Sequence, residues 1–334
     1  MNYSKISGYF ESSNGTDRIA YYVYKPLTGI KAAVQLVHGM CEYCQRYEDF
    51  IDFLCGNGIM VFCHDHLGHG NSARDGEHLG YFAPERGWHF LAKDVVKLTR
   101  IVRENCRDVK LFILGHSMGS LVVRTVLAKY GYMYDGAVIM GTVNTKIGSN
   151  AGIALTRTLG RIKGNMYRSK FLDELIFGLN NRRIENPISE YSWISRDDEI
   201  VKKYEKDPFC NFHFTVRAYS DLMFLVNYVS RGDWAGKIDK ELPIFICSGD
   251  ADPVGMYGAA PQNVFNALNK AGLQDLELKI YKDMRHEILN EIDRQQVYDD
   301  LLEWFNNHIY DVTDTADIDE EDDFPIELSE IDEQ

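Results

Sequence analysis

Residues 111–120 read Leu-Phe-Ile-Leu-Gly-His-Ser-Met-Gly-Ser, an apolar run that passes into Gly115-x-Ser117-x-Gly119 and then into a helical pattern. A serine hydroxyl attacks a carbonyl only when a turn exposes its oxygen and a base removes its proton. A strand that breaks at Gly-x-Ser-x-Gly and resumes as a helix is the setting for such a turn, and the glycines let the chain bend without a Cβ clash. The chemistry expected of Ser117 is acyl transfer through a covalent intermediate. The plainer reading is a tight turn in which Ser117 caps the helix.

Such a serine needs an imidazole. In the order nucleophile, acid, histidine, three of the ten histidines follow Ser117: His213, His286 and His308. His213 falls inside a long segment between strand-like runs, and His308 falls late in the last helical pattern, beside Trp304 and Phe305. His286 follows the run Leu276–Tyr281, and a loop at the carboxyl end of a parallel strand faces the ligand crevice. The acid that orients the imidazole and stabilises its charge is expected after the run 243–247, where Asp250 and Asp252 both occur. Spacing alone does not separate them, and the other would cap loop N–H groups. The oxyanion needs two backbone N–H donors. Met118 supplies one, and Met40, in His38-Gly39-Met40 after the run Ala32–Val37, supplies the other.

Two further motifs compete. His64-Asp65-His66-Leu67-Gly68-His69 resembles the His-x-His-x-Asp-His run of metallo-β-lactamase-type zinc hydrolases, but Gly68 stands where that motif has aspartate. A glycine-rich turn is the expectation, with no metal. Cys41-Glu42-Tyr43-Cys44 is a CxxC that could be redox-active or hold zinc, yet no second cysteine pair lies at zinc spacing. Two incidental thiols beside the pocket are expected.

The elements that must position these residues show in the hydropathy pattern. Segments 8–12 and 18–24 flank an Asn14-Gly15 turn and read as a hairpin. Apolar runs at Ala32–Val37, 59–63, 111–114, 137–140, 243–247 and Leu276–Tyr281 are short and continuous, as in strands buried on both faces. Helical patterns at 47–55, 90–105, 120–130, 261–271 and 295–308 lie between or after them. This alternation implies right-handed βαβ units and a doubly wound, mainly parallel α/β sheet. About ninety residues separate the 137–140 run from the 243–247 run, far beyond the usual ~4–6 of a loop, so an inserted helical subdomain is expected. The organisation predicted is core at 1–142, insertion at 143–231, core again at 232–310 and a tail at 311–334. The insertion is either extra core or a cap whose apolar faces, around Leu155, Leu172, Leu175 and Leu225, line a substrate tunnel.

With 334 residues, 45% hydrophobic and 26% charged, the chain can bury a large core without staples. Of its net charge of −14, the last 24 residues contribute 12 Asp or Glu and no base, which leaves 38 acids against 36 bases elsewhere. A nearly neutral body argues against a nucleic-acid footprint. The tail is expected to be disordered and solvated, with a basic partner as its functional alternative. Seven scattered cysteines fit a reducing compartment, and neither a secretory leader nor an apolar run of ~18 residues is visible. A cytoplasmic location is expected.

Taken together, His38-Gly39-Met40-Cys41-Glu42 with Arg46-Tyr47, the run from His64 to Ser72, and Gly115-His116-Ser117-Met118-Gly119 resemble the monoacylglycerol lipase and lysophospholipase branch of the α/β-hydrolase fold. The resemblance continues through Lys206-Asp207-Pro208 to Gly249-x-x-Asp252 and His286, covering roughly residues 20–310. It implies a serine hydrolase with a helical cap and no cofactor, cleaving carboxylic esters of single-chain lipids. Monoacylglycerol comes first and lysophospholipid second. A general short-chain or aromatic esterase is the alternative, and a silent hydrolase-fold binding protein is the non-enzyme one. The family's spacing favours Asp252 as the acid. It also implies that Glu42 and Arg46 lie near the glycerol end of the substrate, although Cys41 and Cys44 occupy positions usually small or polar there. A cap of this kind could touch a membrane surface transiently.

Overall fold

Five of the six apolar runs become strands covered on both faces, whereas Leu276–Tyr281, expected to be buried likewise, alternates with Glu277 and Lys279 and lies only partly buried at the sheet's edge. In the computed structural model, which describes residues 2–27, 29–143, 149–231 and 233–309, the strands are β1 (Tyr3–Glu11), β2 (Arg18–Pro26), β3 (Ala32–Val37), β4 (Ile59–His64), β5 (Lys110–His116), β6 (Gly136–Met140), β7 (Ile244–Gly249) and β8 (Leu276–Tyr281). The helices are α1 (Glu48–Gly56), α2 (Gly87–Asn105), α3 (Met118–Tyr130), α4 (Ser149–Lys163), α5 (Lys170–Phe177), α6 (Asp198–Lys206), α7 (Val216–Ser230), α8 (Ala259–Ala271) and α9 (Arg294–Ile309). The expected tail, 311–334, lies outside the described residues.

The sheet runs β1-β2-β4-β3-β5-β6-β7-β8. β1 and β2 are antiparallel at one edge, and every pair from β4 onward is parallel. Alternate strand residues feed two cores. Ala33, Ile113, Ile139 and Ile246 pack with Leu91, Leu121 and Val264 of α2, α3 and α8, while Val34, Leu114, Val138 and Phe245 pack with Leu54 of α1 and Leu301 of α9. In register, Val37 lies opposite Gly115, His116 opposite Met140 and Gly249 opposite Tyr281. The carboxyl ends of β3, β5, β7 and β8 therefore open on the same edge, where ligands bind in open α/β sheets.

Two boundaries depart from the sequence reading for physical reasons. β1 begins at Tyr3 rather than residue 8 because it is an edge strand, mostly exposed, and needs no apolar run. β5 runs on to His116, since that polar side chain is paired with a buried carboxylate. The Asn14-Gly15 turn does join β1 to β2, with Ser12 N donating to Asp17 O at 2.8 Å and Gly15 at a φ of +74°.

Helices α4 to α7 lie between β6 and β7, with α7 packed on α2, α3 and α4. Arg124 of α3, fully buried, holds both ends of this segment. Its guanidinium donates to Val143 O at 2.8 Å and to Val229 O at 2.6 Å, with the Trp234 ring 4.3 Å away. Among the described residues no helix is long and apolar enough to cross a membrane.

Candidate active site

The turn at Ser117 is built by strain at one residue and by two close approaches beside it. Ser117 takes a φ of +51°, a left-handed conformation that costs a non-glycine residue about 1–3 kcal/mol. Its N–H donates to Met140 O at 3.0 Å and its carbonyl accepts the Ser120 hydroxyl at 2.5 Å. A Cβ on Gly119 would collide with Val37 O, and one on Gly115 would come within 2.6 Å of Gly119 O. The glycines thus let β3, β5 and α3 converge, while the serine itself makes the bend.

His286 Nε2 lies 2.9 Å from Ser117 Oγ, and its Nδ1 lies 3.0 Å from Asp252 Oδ2. A buried carboxylate at Nδ1 accepts that N–H, which leaves Nε2 as the acceptor facing the hydroxyl. Asp252 is wholly buried and also accepts from Val254 N at 2.8 Å and Ser248 Oγ at 3.3 Å. Asp250 does something else: its Oδ1 accepts from Asp283 N at 2.7 Å, tying the loop after β7 to the loop after β8. Neither of the other two histidines is hydrogen-bonded to the serine, although His213 lines the same cavity. His213 pairs with Asp173 at 3.2 Å, and His308 donates to Trp304 O at 2.7 Å and faces Asp275.

Met118 is the first residue of α3, so its N–H has no intrahelical acceptor. It and Met40 line a cavity of about 1060 Å³ that also contains Ser117 and His286. Its walls are mainly apolar and include Leu121, Leu155, Leu172, Leu175, Trp193 and Met223. Leu225 does not line it; that side chain is fully buried in the core, and Leu222 and Val226 of the same helix face the cavity instead.

Glu42 and Arg46 are both spent on internal partners. Glu42 Oε1 accepts from Gly39 N, from Tyr47 Oη at 2.8 Å and from His116 Nδ1 at 2.9 Å, while Oε2 lies 3.5 Å from Arg46. Burial alone would raise the Glu42 carboxyl, but the charges of His116 and Arg46 outweigh it and hold the pKa at about 2. Arg46 forms a bidentate pair with Glu287 at 2.5 and 2.7 Å and lies over the Tyr204 ring. Burial works against the His116 imidazolium too, yet Glu42 outweighs it and raises the pKa above the usual histidine value. Glu42 lines the cavity wall beside Ser117, with Oε1 engaged by three donors and Oε2 facing Arg46.

The histidine run of β4 and the loop after it is a structural turn. His66 N donates to His38 Nε2 at 2.9 Å, His66 Nε2 donates to His38 O at 3.1 Å, and His69 Nδ1 donates to Leu67 O at 3.0 Å. Among the described residues no three His, Cys, Asp or Glu side chains are grouped as metal ligands. Cys41 and Cys44 are buried free thiols whose pKa burial pushes up, and Cys41 Sγ donates to Phe212 O at 3.2 Å.

The sequence assigns no role to His116, Tyr47, Glu287 or Trp193, although His116 and Trp193 pack against His286, Glu287 follows it and Tyr47 bonds Glu42 beside His116. His116 precedes the nucleophile candidate, and its ring centroid is 4.8 Å from that of His286. Trp193 flanks His286 from the other side at 5.2 Å. The one visible signal was adjacency, since His116 and Glu287 each neighbour a residue that was singled out.

A family model described as serine aminopeptidase, S33, matches residues 28–293. The chain is 27% identical over 297 residues to a monoacylglycerol lipase of Mycolicibacterium smegmatis, covering 88% of this chain and 95% of that one. It is 25% identical over 291 residues to the monoglyceride lipase of Mus musculus, covering 86% of each. Its fold superimposes with a TM-score of 0.85 on a highly thermostable carboxyl esterase from Bacillus coagulans solved in complex with glycerol, 31% identical, over 92% of this chain and 99% of that one. The chain therefore belongs to the serine aminopeptidase S33 family of α/β hydrolases and is a hydrolase with a monoacylglycerol lipase-like sequence.

Proposed function

We propose that this protein cleaves carboxylic esters of single-chain lipids through an acyl-enzyme, monoacylglycerols first and lysophospholipids second. The observation that carries the reading is the unbroken line from Asp252 through His286 to Ser117, ending on a mainly apolar cavity of about 1060 Å³. That volume is at the upper end of small-molecule pockets and suits a long acyl chain. The relatives named for monoacylglycerol hydrolysis, and the glycerol held by the Bacillus coagulans esterase, support the same class.

In this mechanism Ser117 Oγ attacks the ester carbonyl while His286 Nε2 takes its proton. Asp252 holds the Nδ1–H and stabilises the imidazolium. The N–H groups of Met40 and Met118 receive the oxyanion. Collapse breaks the ester C–O bond, and His286 returns the proton to the departing alcohol. A water, deprotonated by His286, then releases the fatty acid. Residues 143–231 act as a cap. Its exposed Phe171, Leu175 and Leu179 would meet the lipid aggregate from which substrate is drawn, and the protein would work from the cytoplasm. A second reading, a short-chain or aromatic esterase, draws on the stacked Phe177–Trp193 pair, with ring centroids 6.0 Å apart, beside His286.

The test is active-site labelling followed by a substrate series. A fluorophosphonate should label wild type at Ser117 alone, and Ser117→Ala should fold but lose hydrolysis. Activity that survives Ser117→Ala, or that a chelator abolishes, refutes the serine mechanism.

A further inference from the structure

We infer that Glu42 is a positioning residue: its buried carboxylate ties the oxyanion turn, the serine turn and the His286 loop into one unit, and His116 is the arm that reaches His286. This rests on the assignment of Ser117, His286 and Asp252 above.

The case begins with what Glu42 touches. Gly39, whose N–H it accepts, directly precedes Met40. There is no room for another side chain at this join, because a Cβ on Gly39 would collide with Glu42 Oε1 and come within 2.9 Å of Ser117 Cβ. His116, which Glu42 also accepts from, directly precedes Ser117. The far nitrogen of His116 lies 3.3 Å from the carbonyl oxygen of His286. Both ring nitrogens of His116 thus face acceptors, a carboxylate and a carbonyl, and only an imidazolium has an N–H for each. A raised pKa agrees with that geometry. Tyr47 Oη closes the ring, donating to Glu42 and lying 3.1 Å from His116 Nδ1.

A second strap runs parallel to the first. Arg46, four residues after Glu42, grips Glu287, the residue after His286, with two hydrogen bonds, and Glu287 N donates to Ile194 O at 2.7 Å. The charged groups facing His116 and one another are Glu42, Arg46 and Glu287, with the titratable His286 beside them. With His116 and Arg46 as cations and Glu42 and Glu287 as anions, the cluster is neutral and every charge has a partner, the condition under which buried ions persist. Glu42 Oε1 already accepts three donors, so that oxygen is committed to the turns, while Oε2 has the 3.5 Å contact with Arg46. To the head-group contact implied by family resemblance this adds a different role, alignment of the groups that do the chemistry.

The two roles give opposite kinetics. An alignment role acts on the transition state of every ester, because misplacement by about 1 Å can cost ~10²-fold, whereas head-group contact acts on binding of glyceryl esters alone. Glu42→Gln keeps the size and an oxygen acceptor but removes the charge that holds His116 protonated. Wild type and Glu42→Gln are compared on glyceryl monobutyrate and p-nitrophenyl butyrate, together with the fluorophosphonate labelling rate of Ser117. We expect kcat and the labelling rate to fall about 100-fold with both esters, with KM within threefold. A kcat within threefold of wild type, or a loss confined to the KM of the glyceryl ester, overturns the inference. If Glu42→Gln does not fold, Tyr47→Phe decides it, since that change deletes one hydroxyl from the same network. A fall in kcat of about fivefold with both esters supports the inference, and an unchanged kcat overturns it. A wild type that the fluorophosphonate does not label would overturn the nucleophile assignment itself, which separates that failure from this one.

Discussion

Two histidine–carboxylate pairs sit side by side in this site, and they are put to different ends. In Asp252–His286 the imidazole has one nitrogen on a carboxylate and the other on a hydroxyl at a cavity wall. In Glu42–His116 the second nitrogen meets a backbone carbonyl instead. The first pair can pass a proton to a reacting atom; the second has no mobile partner and serves as a charged brace. What separates a proton shuttle from a strut is the group at the far nitrogen, not the pair itself.

The largest effect that would break this comparison is on the shuttle. Asp252→Asn should lower kcat up to about 10⁴-fold through the wrong imidazole tautomer. Asp250→Asn, which loses only a loop bond to Asp283 N, should change kcat less than about threefold. Steady-state kinetics on one soluble ester decide it, and a reversal would move the acid to Asp250.

The brace also differs from the four other buried histidines of this edge, none of which is hydrogen-bonded to a carboxylate among the described residues, although Glu42 opposes the shift of His38 and His69. Burial lowers the pKa of His38 and His64 to about 3, of His69 to about 4, and of His66 well below its usual value. Between those values and about 6.5 only the unfolded chain binds the proton, so stability should fall as pH drops from about 6.5 toward 4. Each histidine then costs roughly 1.4 kcal/mol at pH 5.5, between about 5 and 6 kcal/mol for the four. His116 runs the other way: its raised folded-state pKa gives a contribution fully present below about 6.5 and lost as pH climbs through the folded value. Urea melts at pH 7.5, 6.5 and 5.5 should show the midpoint dropping steeply at the acid end. His64 has neither ring nitrogen hydrogen-bonded, so His64→Leu should raise stability at pH 5.5 by at least ~1 kcal/mol, whereas His116→Leu should lower it. A midpoint flat across this range would refute the neutral-histidine account.

How much of this was legible follows from where the partners lie in the chain. Strand β3 was readable to the residue because it is a short, mostly apolar run ended by His38 and Gly39, and β8 because Leu276, Leu278 and Ile280 alternate with Glu277 and Lys279 before the charged turn at Lys282. Ser117 and Met118 showed through a local motif. Asp250 and Asp252, two residues apart, could not be separated by spacing, since only the fold says which faces His286. Arg46 and Glu287 are 241 positions apart, and nothing in a single sequence says that they meet. Leu225 failed for a related reason: helical periodicity marks an apolar face, but not whether that face meets a cavity or the core.

That last ambiguity yields the smallest and most graded prediction. Leu155 and Leu175 line the cavity, whereas Leu225 is fully buried in the core, so the same substitution should have different consequences. If the cavity takes the acyl chain, each added CH₂ buries apolar surface worth up to ~0.8 kcal/mol, nearly fourfold in kcat/KM per carbon. The gain should level off when the cavity is full. Leu175→Asp, at an exposed position on the cavity wall, should leave the melting temperature within about 2 °C but flatten this climb, because a carboxylate beside the chain must stay hydrated. Leu225→Asp should instead unfold the protein or cost several kcal/mol. The measurement is kcat/KM for p-nitrophenyl esters from two to twelve carbons, below micelle-forming concentrations. A profile that is flat or declines from two carbons upward, in wild type, would exclude the lipid substrate and leave the short-chain ester reading, with the Phe177–Trp193 pair as its acyl-side wall.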